Sequence, residues 1–208
     1  DQEQVLNWAL QVCDVLTYLH NQKPPVIFRD MKPDNLILRH DGRLMVIDFG
    51  IAKVFEQGQR GTMIGTEGYS PPEQYRGVAD PRGDLYALAA TLHHLLTNRD
   101  PRLEPPFTFH ERPIQLFNSG ISPEFQTVVT KALAYDLNDR YNSAAEMGEA
   151  LSRVLPGRRS LTASLGGPAI NAVPQDVVPK WTFRCEDEVR SSPRVVDGVL
   201  YIGSYDHN

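Results

Sequence analysis

The first element that the hydrophobic pattern predicts is an amphipathic helix over residues 1–20. Apolar side chains recur there at three- and four-residue spacing, which places them on one face of a helix. These positions are Val5, Ala9, Val12, Leu16 and Leu19. Asp1 with Gln4 is typical of a capping box, and the proline pair at residues 24–25 ends the helix. The chain therefore opens on a helix with one buried face.

Short apolar runs separated by polar turns predict small β-hairpins after this helix. Residues 26–28 and 36–38 are such runs, and residues 44–47 form the returning strand of a hairpin. The Asp-Gly pair at residues 41–42 supplies its turn. Residues 51–70 are rich in Gly and Thr with little periodicity, which predicts a long loop. Loops of that length inside a compact domain are usually functional.

Three more helices are predicted further along the chain. Residues 84–97 are almost continuously apolar, which indicates a buried helix. Ser122 followed by Pro123 is typical of an N-cap with proline at the first helical position. Ser143 with Glu146 forms a second capping box. The pattern up to this point predicts a mainly α domain with small hairpins.

The pattern changes in the last quarter of the chain. Residues 156–180 are dominated by Pro, Gly, Ser and Ala without periodicity, which is typical of a linker. Beyond them the residues alternate as strands do, with an Asp-Gly hairpin turn at residues 197–198. We therefore predict a helical domain over 1–155, the linker, and a β segment over 181–208.

Composition and charge exclude several classes of protein. The 208 residues carry a net charge of −5. This argues against a nucleic-acid-binding surface, because such a surface requires clustered basic residues. The longest apolar run, residues 85–96, falls short of the ~18 residues of a membrane span and is interrupted by His93 and His94. The two cysteines, Cys13 and Cys185, suit a reducing compartment and form no CxxC metal site. We expect a cytoplasmic location for the kinase part and no membrane segment in this fragment, and membrane association of the full-length protein stays open.

Three polar islands carry the candidate chemistry. Residues 28–35 read FRDMKPDN, residues 48–50 read DFG, and residues 65–73 read GTEGYSPPE. In order and spacing they resemble the protein kinase family, whose catalytic loop reads HRDxKxxN and is followed by DFG and APE. The resemblance, to kinases of the bacterial Ser/Thr type, covers about residues 1–155. It implies the α-helical C-terminal lobe of the kinase fold.

The resemblance implies roles for three residues in phosphoryl transfer, which depends on positioning and charge neutralisation. Asp30 would accept or orient the proton of the substrate hydroxyl. Lys32 would neutralise the transferring phosphate, and Thr66 would hydrogen-bond both of them. Lysine two positions after the catalytic aspartate, together with Thr66 after Gly65, implies specificity for Ser/Thr rather than Tyr.

The same resemblance implies ATP and Mg²⁺ as cofactors. Asn35 and Asp48 would hold Mg²⁺ through hard oxygen ligands. Ile37 would form the floor of the adenine pocket, and ordinary core packing is the alternative for this residue. Lys53 would approach the phosphates, and an exposed lysine without that role is its alternative.

Further positions match supporting residues of the family. Phe28 takes the place of the family's histidine, which packs and positions backbone, so an aromatic side chain can occupy the same slot. Asp84 matches the buried helix aspartate that braces the backbone of the catalytic loop. Glu73 and Arg140 match the ion pair that ties the activation segment to the lower lobe.

No Gly-rich loop precedes Asp30, and the chain opens on Asp1 rather than on methionine. Kinases hold ATP with such a loop and with a strand lysine paired to a helix glutamate. We therefore expect a fragment without the N-terminal lobe, which would be inactive alone.

The tail carries a second resemblance. Residues 181–206 resemble a PQQ-type β-propeller repeat, which reads roughly WxFxTGDxVxSSPxVxDGxVYxGSxD, with CED here in place of TGD. One repeat cannot close a propeller, because each blade buries its faces on neighbouring blades. The resemblance implies a partial propeller that would bind a ligand or a protein partner.

The leading hypothesis is a fragment of a Ser/Thr protein kinase that transfers the γ-phosphate of ATP to Ser/Thr hydroxyls of protein substrates. A pseudokinase scaffold that binds without turnover is the first alternative. A binding protein whose functional module is the propeller is the second.

Overall fold

A computed structural model provides the structure of the chain. It describes residues 1–49, 53–54, 65–154, 194–196 and 199–201. The chain divides into two compact units, Asp1–Val154 and Leu155–Asn208. None of the helices in the described ranges is long and apolar enough to cross a membrane.

The first unit is built mainly from helices, as the sequence pattern predicts. The described residues of this unit form five α-helices: α1 (Gln2–His20), α2 (Arg82–Thr97), α3 (Ile114–Phe117), α4 (Pro123–Ala132) and α5 (Ala144–Ser152). Short 3₁₀ turns connect them at Pro33–Asn35, Gln74–Arg76, Pro101–Leu103, Phe109–Glu111 and Leu137–Asp139. The predicted buried helix over 84–97 is α2, which begins two residues earlier.

Helix α2 forms the centre of this unit. Nearly all of its side chains are buried, which explains its near-continuous apolar sequence. Helices α1, α3, α4 and α5 all contact it. The buried face of α1 consists of Val5, Leu6, Ala9, Val12, Cys13 and Leu16. The predicted amphipathic face of α1 is thus the one that packs into the core.

The helix starts follow from capping residues in the sequence. The Ser122 hydroxyl accepts from the backbone N–H of Phe125, and the Ser143 hydroxyl accepts from that of Glu146 at 3.1 Å. The reciprocal bond of the second box differs from the prediction, because the Glu146 carboxylate accepts from the N–H of Asn142 at 2.9 Å. The carboxylate therefore secures the residue before the cap.

The strands that the structure describes in the first unit form two short antiparallel ribbons. β2 (Leu36–Leu38) pairs with β3 (Leu44–Val46) and forms the predicted hairpin. β1 (Val26–Ile27) pairs with β4 (Lys53–Val54), which lies within the loop predicted over residues 51–70. A two-residue strand has no periodicity to detect, and its pairing depends on a partner more than twenty residues away. Residues 55–64 of the predicted loop lie outside the described residues.

In the second unit, the structure describes one antiparallel ribbon. β5 (Arg194–Val196) pairs with β6 (Val199–Tyr201), and Val196 is the partner of Val199. This register agrees with a hairpin whose connection is residues 197–198. Those two residues and the predicted linker lie outside the described residues.

Candidate active site

A buried carboxylate holds the backbone of the loop that carries the first island. Asp84, at the start of α2, is 1% exposed. Its two carboxylate oxygens accept from the backbone N–H groups of Phe28 and Arg29 at 2.8 and 2.7 Å. The ring Nε2 of His20 lies 2.8 Å from the same carboxylate. The helix therefore fixes the loop immediately before Asp30, as the resemblance implies.

Two residues of the site have left-handed backbone conformations. Arg29 has φ of 72° and Asp48 has φ of 62°. Such conformations cost about 1–3 kcal/mol each in residues other than glycine, so the surrounding structure must hold them. For Arg29 the bond from its N–H to Asp84 is one such restraint. Backbone strain of this kind concentrates at functional sites.

The side chain of Asp30 is the centre of a hydrogen-bond network. The Thr66 hydroxyl donates to Asp30 Oδ1 at 2.6 Å. Lys32 Nζ lies 2.8 Å from Asp30 Oδ2 and donates to Thr66 Oγ1 at 2.8 Å. The Asn35 amide donates to Asp30 Oδ2 at 2.9 Å and to the Asp30 carbonyl at 2.7 Å. The structure thus brings together the three predicted catalytic residues, and it adds Asn35 as a residue that orients Asp30.

The backbone brings Asn35 close to the residue before Asp48. Asn35 is buried, and since its amide nitrogen bonds to Asp30, its Oδ1 is the atom available to a ligand. The backbone carbonyl of Asn35 accepts from the backbone N–H of Ile47 at 2.9 Å. Asp48 is the next residue along the chain. No cluster of three His, Cys, Asp or Glu side chains suited to a metal occurs in the described part of the chain. Two hard oxygen ligands fit Mg²⁺, which usually binds through one or two carboxylates plus substrate phosphates.

Ile37 lies in strand β2 of the β2–β3 ribbon. Its side chain is 47% exposed in this chain. Three other large apolar side chains of this region are also exposed: Leu38, Met45 and Phe49. Apolar side chains predominate in the lining of small-molecule sites. For Lys53, the structure describes the backbone pairing with Ile27 in the β1–β4 ribbon.

Phe28, which replaces the family's histidine, packs against the second island. Its ring is fully buried and meets the ring of Phe49 edge to face, with centroids 5.2 Å apart. Edge-to-face pairs are a favoured aromatic arrangement. The aromatic side chain therefore couples the loop of Asp30 to the residue that follows Asp48.

Two glycines allow the third island to approach its neighbours. Gly65 has φ of 149°, and a Cβ there would lie 2.1 Å from Ser70 Oγ. Gly68 has φ of 83°, and a Cβ there would lie 2.6 Å from the carbonyl carbon of Pro101. Both positions exclude larger residues, so the glycines on either side of Thr66 help to place its hydroxyl at Asp30.

The predicted ion pair between Glu73 and Arg140 is present and buried. Arg140 Nη1 and Nη2 lie 2.7 and 2.9 Å from the two carboxylate oxygens of Glu73. The guanidinium also donates to the carbonyl of Ala134 at 2.8 Å and lies 4.8 Å from the ring centroid of Tyr86. This pair ties the end of the third island to the helical core.

Sequence reasoning missed two residues that support the site. His20 contacts Asp84 from the end of α1, 64 positions away in the sequence. The Gln74 amide donates to the carbonyl of Arg29 at 3.3 Å. For Gln74, its position directly after Glu73 in the third island was the available signal. No local pattern connects His20 with Asp84, because their contact depends on how α1 crosses α2.

Comparison with known proteins agrees with this geometry. The family model described as protein kinase domain matches residues 1–151. The serine/threonine-protein kinase PknA of Nostoc sp. is 38% identical over 152 residues, which cover 68% of this chain and 27% of that protein. PknB of Mycobacterium leprae is 34% identical over 174 residues, or 75% of this chain and 27% of that protein. PknB of Mycobacterium tuberculosis is 36% identical over 164 residues, or 70% and 25%. The chain spans about a quarter of the length of these relatives.

Proposed function

The chain belongs to the protein kinase domain family, and on that basis we propose that the protein containing it transfers the γ-phosphate of ATP to serine and threonine hydroxyls of proteins. The observation that carries the proposal is the network that joins Asp30, Lys32 and Thr66 at 2.6–2.8 Å. The relatives named above are serine/threonine-protein kinases, which supports the same substrate class.

In this proposal Asp30 acts on the substrate hydroxyl. Its carboxylate accepts the hydroxyl proton as the hydroxyl oxygen forms a bond to the γ-phosphorus and the bond to the β-phosphate oxygen breaks. Thr66 and Asn35 hold the carboxylate in one orientation through the bonds described above. Lys32, held beside Asp30, places a positive charge where negative charge develops on the transferred group.

Asn35 and Asp48 are the residues proposed to hold Mg²⁺, which when bound neutralises charge on the β- and γ-phosphates. Their oxygens are of the type that this ion prefers. We propose that the adenine ring of ATP packs over Ile37 and that Lys53 approaches the phosphates. The exposure of Ile37 supports the first of these two assignments.

Phosphate transfer by the full-length protein distinguishes this proposal from the alternatives. Three peptides identical except for serine, threonine or tyrosine at the acceptor position would be incubated with the protein, Mg²⁺ and γ-labelled ATP. We expect label on the serine and threonine peptides and little on the tyrosine peptide. ATP binding without label on any peptide would support the pseudokinase scaffold and contradict the proposal.

We further propose the domain arrangement predicted from the sequence. It consists of a kinase domain over 1–155, a linker over 156–180 and a propeller-like segment over 181–208 that binds a ligand or protein partner. The hairpin of β5 and β6 supports a β segment near the end of the chain. A cytoplasmic location of the kinase part belongs to the same proposal. So does the absence of a nucleic-acid partner, which the net charge of −5 supports.

A further inference from the structure

A row of three aromatic rings lies at the surface of the helical unit. The ring of Phe107 meets Tyr75 on one side and Tyr135 on the other, edge to face, with centroids 5.7 and 5.8 Å apart. Tyr75 is 40% exposed and Tyr135 is 55% exposed. Contiguous apolar surface that is bordered by polar groups is typical of protein interaction sites. The row is therefore a candidate binding surface outside the Asp30 network.

The row continues into a cavity of about 510 Å³, which none of the residues assigned above to catalysis, ATP or Mg²⁺ lines. Phe107 and Tyr135 line this cavity together with Tyr86 and Phe109. Because Tyr135 is both exposed and part of the lining, it lies at the mouth of the cavity. The volume is in the range of pockets that hold small organic molecules, so one aromatic side chain fits. Aromatic walls favour an aromatic occupant, since edge-to-face and offset contacts stabilise pairs of rings.

The backbone at Phe107 has an uncommon conformation. Its φ is 61°, in the left-handed region that residues other than glycine seldom adopt. Strained backbone of this kind clusters at ligand-binding and active sites, where the surrounding structure holds it. The Phe107 ring also packs against the buried core cluster of Tyr69, Tyr86, Ala90 and Phe109. The central ring of the row is therefore fixed before any ligand binds, which lowers the entropic cost of binding.

Arg76 places a positive charge at the Tyr135 end of the row. Its Nη2 donates to the Tyr135 hydroxyl at 2.8 Å, and its guanidinium carbon lies 5.7 Å from the ring centroid. Arg76 is exposed, and no carboxylate of the described residues pairs with it. At the other end, burial and then the charge of Glu67 raise the pKa of Tyr75. The two ends of the row thus differ in charge, and a carboxylate of a ligand suits the Tyr135 end.

We propose that this surface binds a segment of a partner protein that carries a large aromatic side chain next to an acidic residue. The aromatic side chain enters the cavity beside Tyr135, and the neighbouring carboxylate pairs with Arg76. Aromatic anchors in pockets and contacts made by arginine are the groups that contribute most to protein–protein binding. The proposal is independent of the proposed kinase activity, because no residue of the Asp30 network takes part.

Three heptapeptides, acetylated and amidated at their ends, test the two contacts by calorimetric titration of the 208-residue chain. Their sequences are GSEWEGS, GSEAEGS and GSKWKGS, and physiological ionic strength screens the charges that lie far from the surface. We expect GSEWEGS to bind at least about ten-fold more tightly than GSEAEGS, because a buried aromatic anchor contributes that much. GSKWKGS should bind about three-fold more weakly than GSEWEGS, since an exposed ion pair contributes less.

Four variants locate the binding. Tyr135→Ser should weaken the binding of GSEWEGS at least about five-fold. Tyr18→Ser is its control and should change nothing, because Tyr18 is 56% exposed on α1 and does not line the cavity. Arg76→Gln removes the charge and keeps amide donors, so the preference for GSEWEGS over GSKWKGS should be lost. Arg153→Gln, on the exposed surface of α5, should preserve that preference.

Equal affinity of the three peptides for the unaltered chain, or no heat of binding at millimolar peptide, would overturn the proposal. Undiminished binding of GSEWEGS to the Tyr135→Ser variant would also overturn it, since the peptide would then occupy another surface. The four substituted side chains are exposed, so the variants should keep the fold, and far-UV circular dichroism of each variant checks this.

Discussion

The buried pair of Arg140 and Glu73 gives the sharpest stability prediction. Replacing Arg140 with methionine keeps much of the side-chain volume and removes the charge and all of the donors. Glu73, which is 6% exposed, then has a buried carboxylate without its bidentate guanidinium partner. We expect Arg140→Met to be among the most destabilising single substitutions in the helical unit.

The structure sets the expected magnitude. Removing one partner of a buried ion pair costs about 3–5 kcal/mol, because an uncompensated charge remains. The carbonyl oxygens of Ala134 and Tyr135 also lose their contacts with the guanidinium, which places the cost in the upper part of that range. Glu73→Gln should cost less than Arg140→Met, because the amide oxygen still accepts from Arg140 and the carbonyl contacts remain.

Urea-induced unfolding of the 208-residue chain, followed by far-UV circular dichroism, measures the free energy of unfolding of each variant. The midpoint of thermal unfolding should also fall by about 6–20 °C for Arg140→Met. Arg153→Met is the matched control, since Arg153 pairs with Glu149 at 3.4 Å on the surface and both side chains are largely exposed. The control should change the free energy by less than about 0.5 kcal/mol.

The reasoning would be refuted if Arg140→Met cost less than about 1 kcal/mol, or if it cost no more than Arg153→Met. Either result would mean that water reaches the Glu73 carboxylate in the folded protein.

Three further predictions concern the site, the core and the domain boundary. Thr66→Val should lower kcat of the full-length protein about thirty-fold in the peptide assay, because it removes two hydrogen bonds of about 1 kcal/mol each. Thr66→Ser keeps the hydroxyl and should retain most of the activity in the same assay. Burial raises the pKa of Cys13 to about 12, so its thiolate is scarce near neutral pH. Mass spectrometry should find alkylation of Cys13 at least about a hundred-fold slower in the native chain than in urea, and equal rates would contradict the burial. Limited proteolysis should cut first within 156–180, and a first cut inside α2 would show that the predicted boundary is wrong.

Sequence patterns predicted those parts of the fold that depend on local chemistry. The starts of α4 and α5 follow from Ser122 and Ser143, whose hydroxyls bond to backbone groups three residues away. The β2–β3 hairpin follows from two short apolar runs on either side of an Asp-Gly turn. The Asp30 network was predictable from the order and spacing of the motifs, not from local chemistry. These motifs resemble the protein kinase family, whose chemistry requires such residue types in one site.

Contacts between distant segments were harder to predict. The β1–β4 pairing and the contact between His20 and Asp84 depend on the path of the chain between their partners. For Ile37 the sequence left core packing and a ligand surface open, because an isoleucine in a short strand suits both. Its 47% exposure depends on which other segments pack against the ribbon, and no local pattern records that.

The most direct test of the central claim is the rate of phosphate transfer by the full-length protein carrying Asp30→Asn. Asparagine keeps the shape of the side chain and can still accept from Thr66, but it cannot take the hydroxyl proton. Asp41→Asn is the control, because Asp41 lies in the exposed turn between β2 and β3 and contacts only nearby backbone and surface arginines. We predict that Asp30→Asn lowers kcat by about 10²–10⁴-fold while Asp41→Asn leaves it unchanged. An Asp30→Asn rate within about three-fold of the unaltered protein would contradict the assignment of Asp30 as the group that accepts the proton.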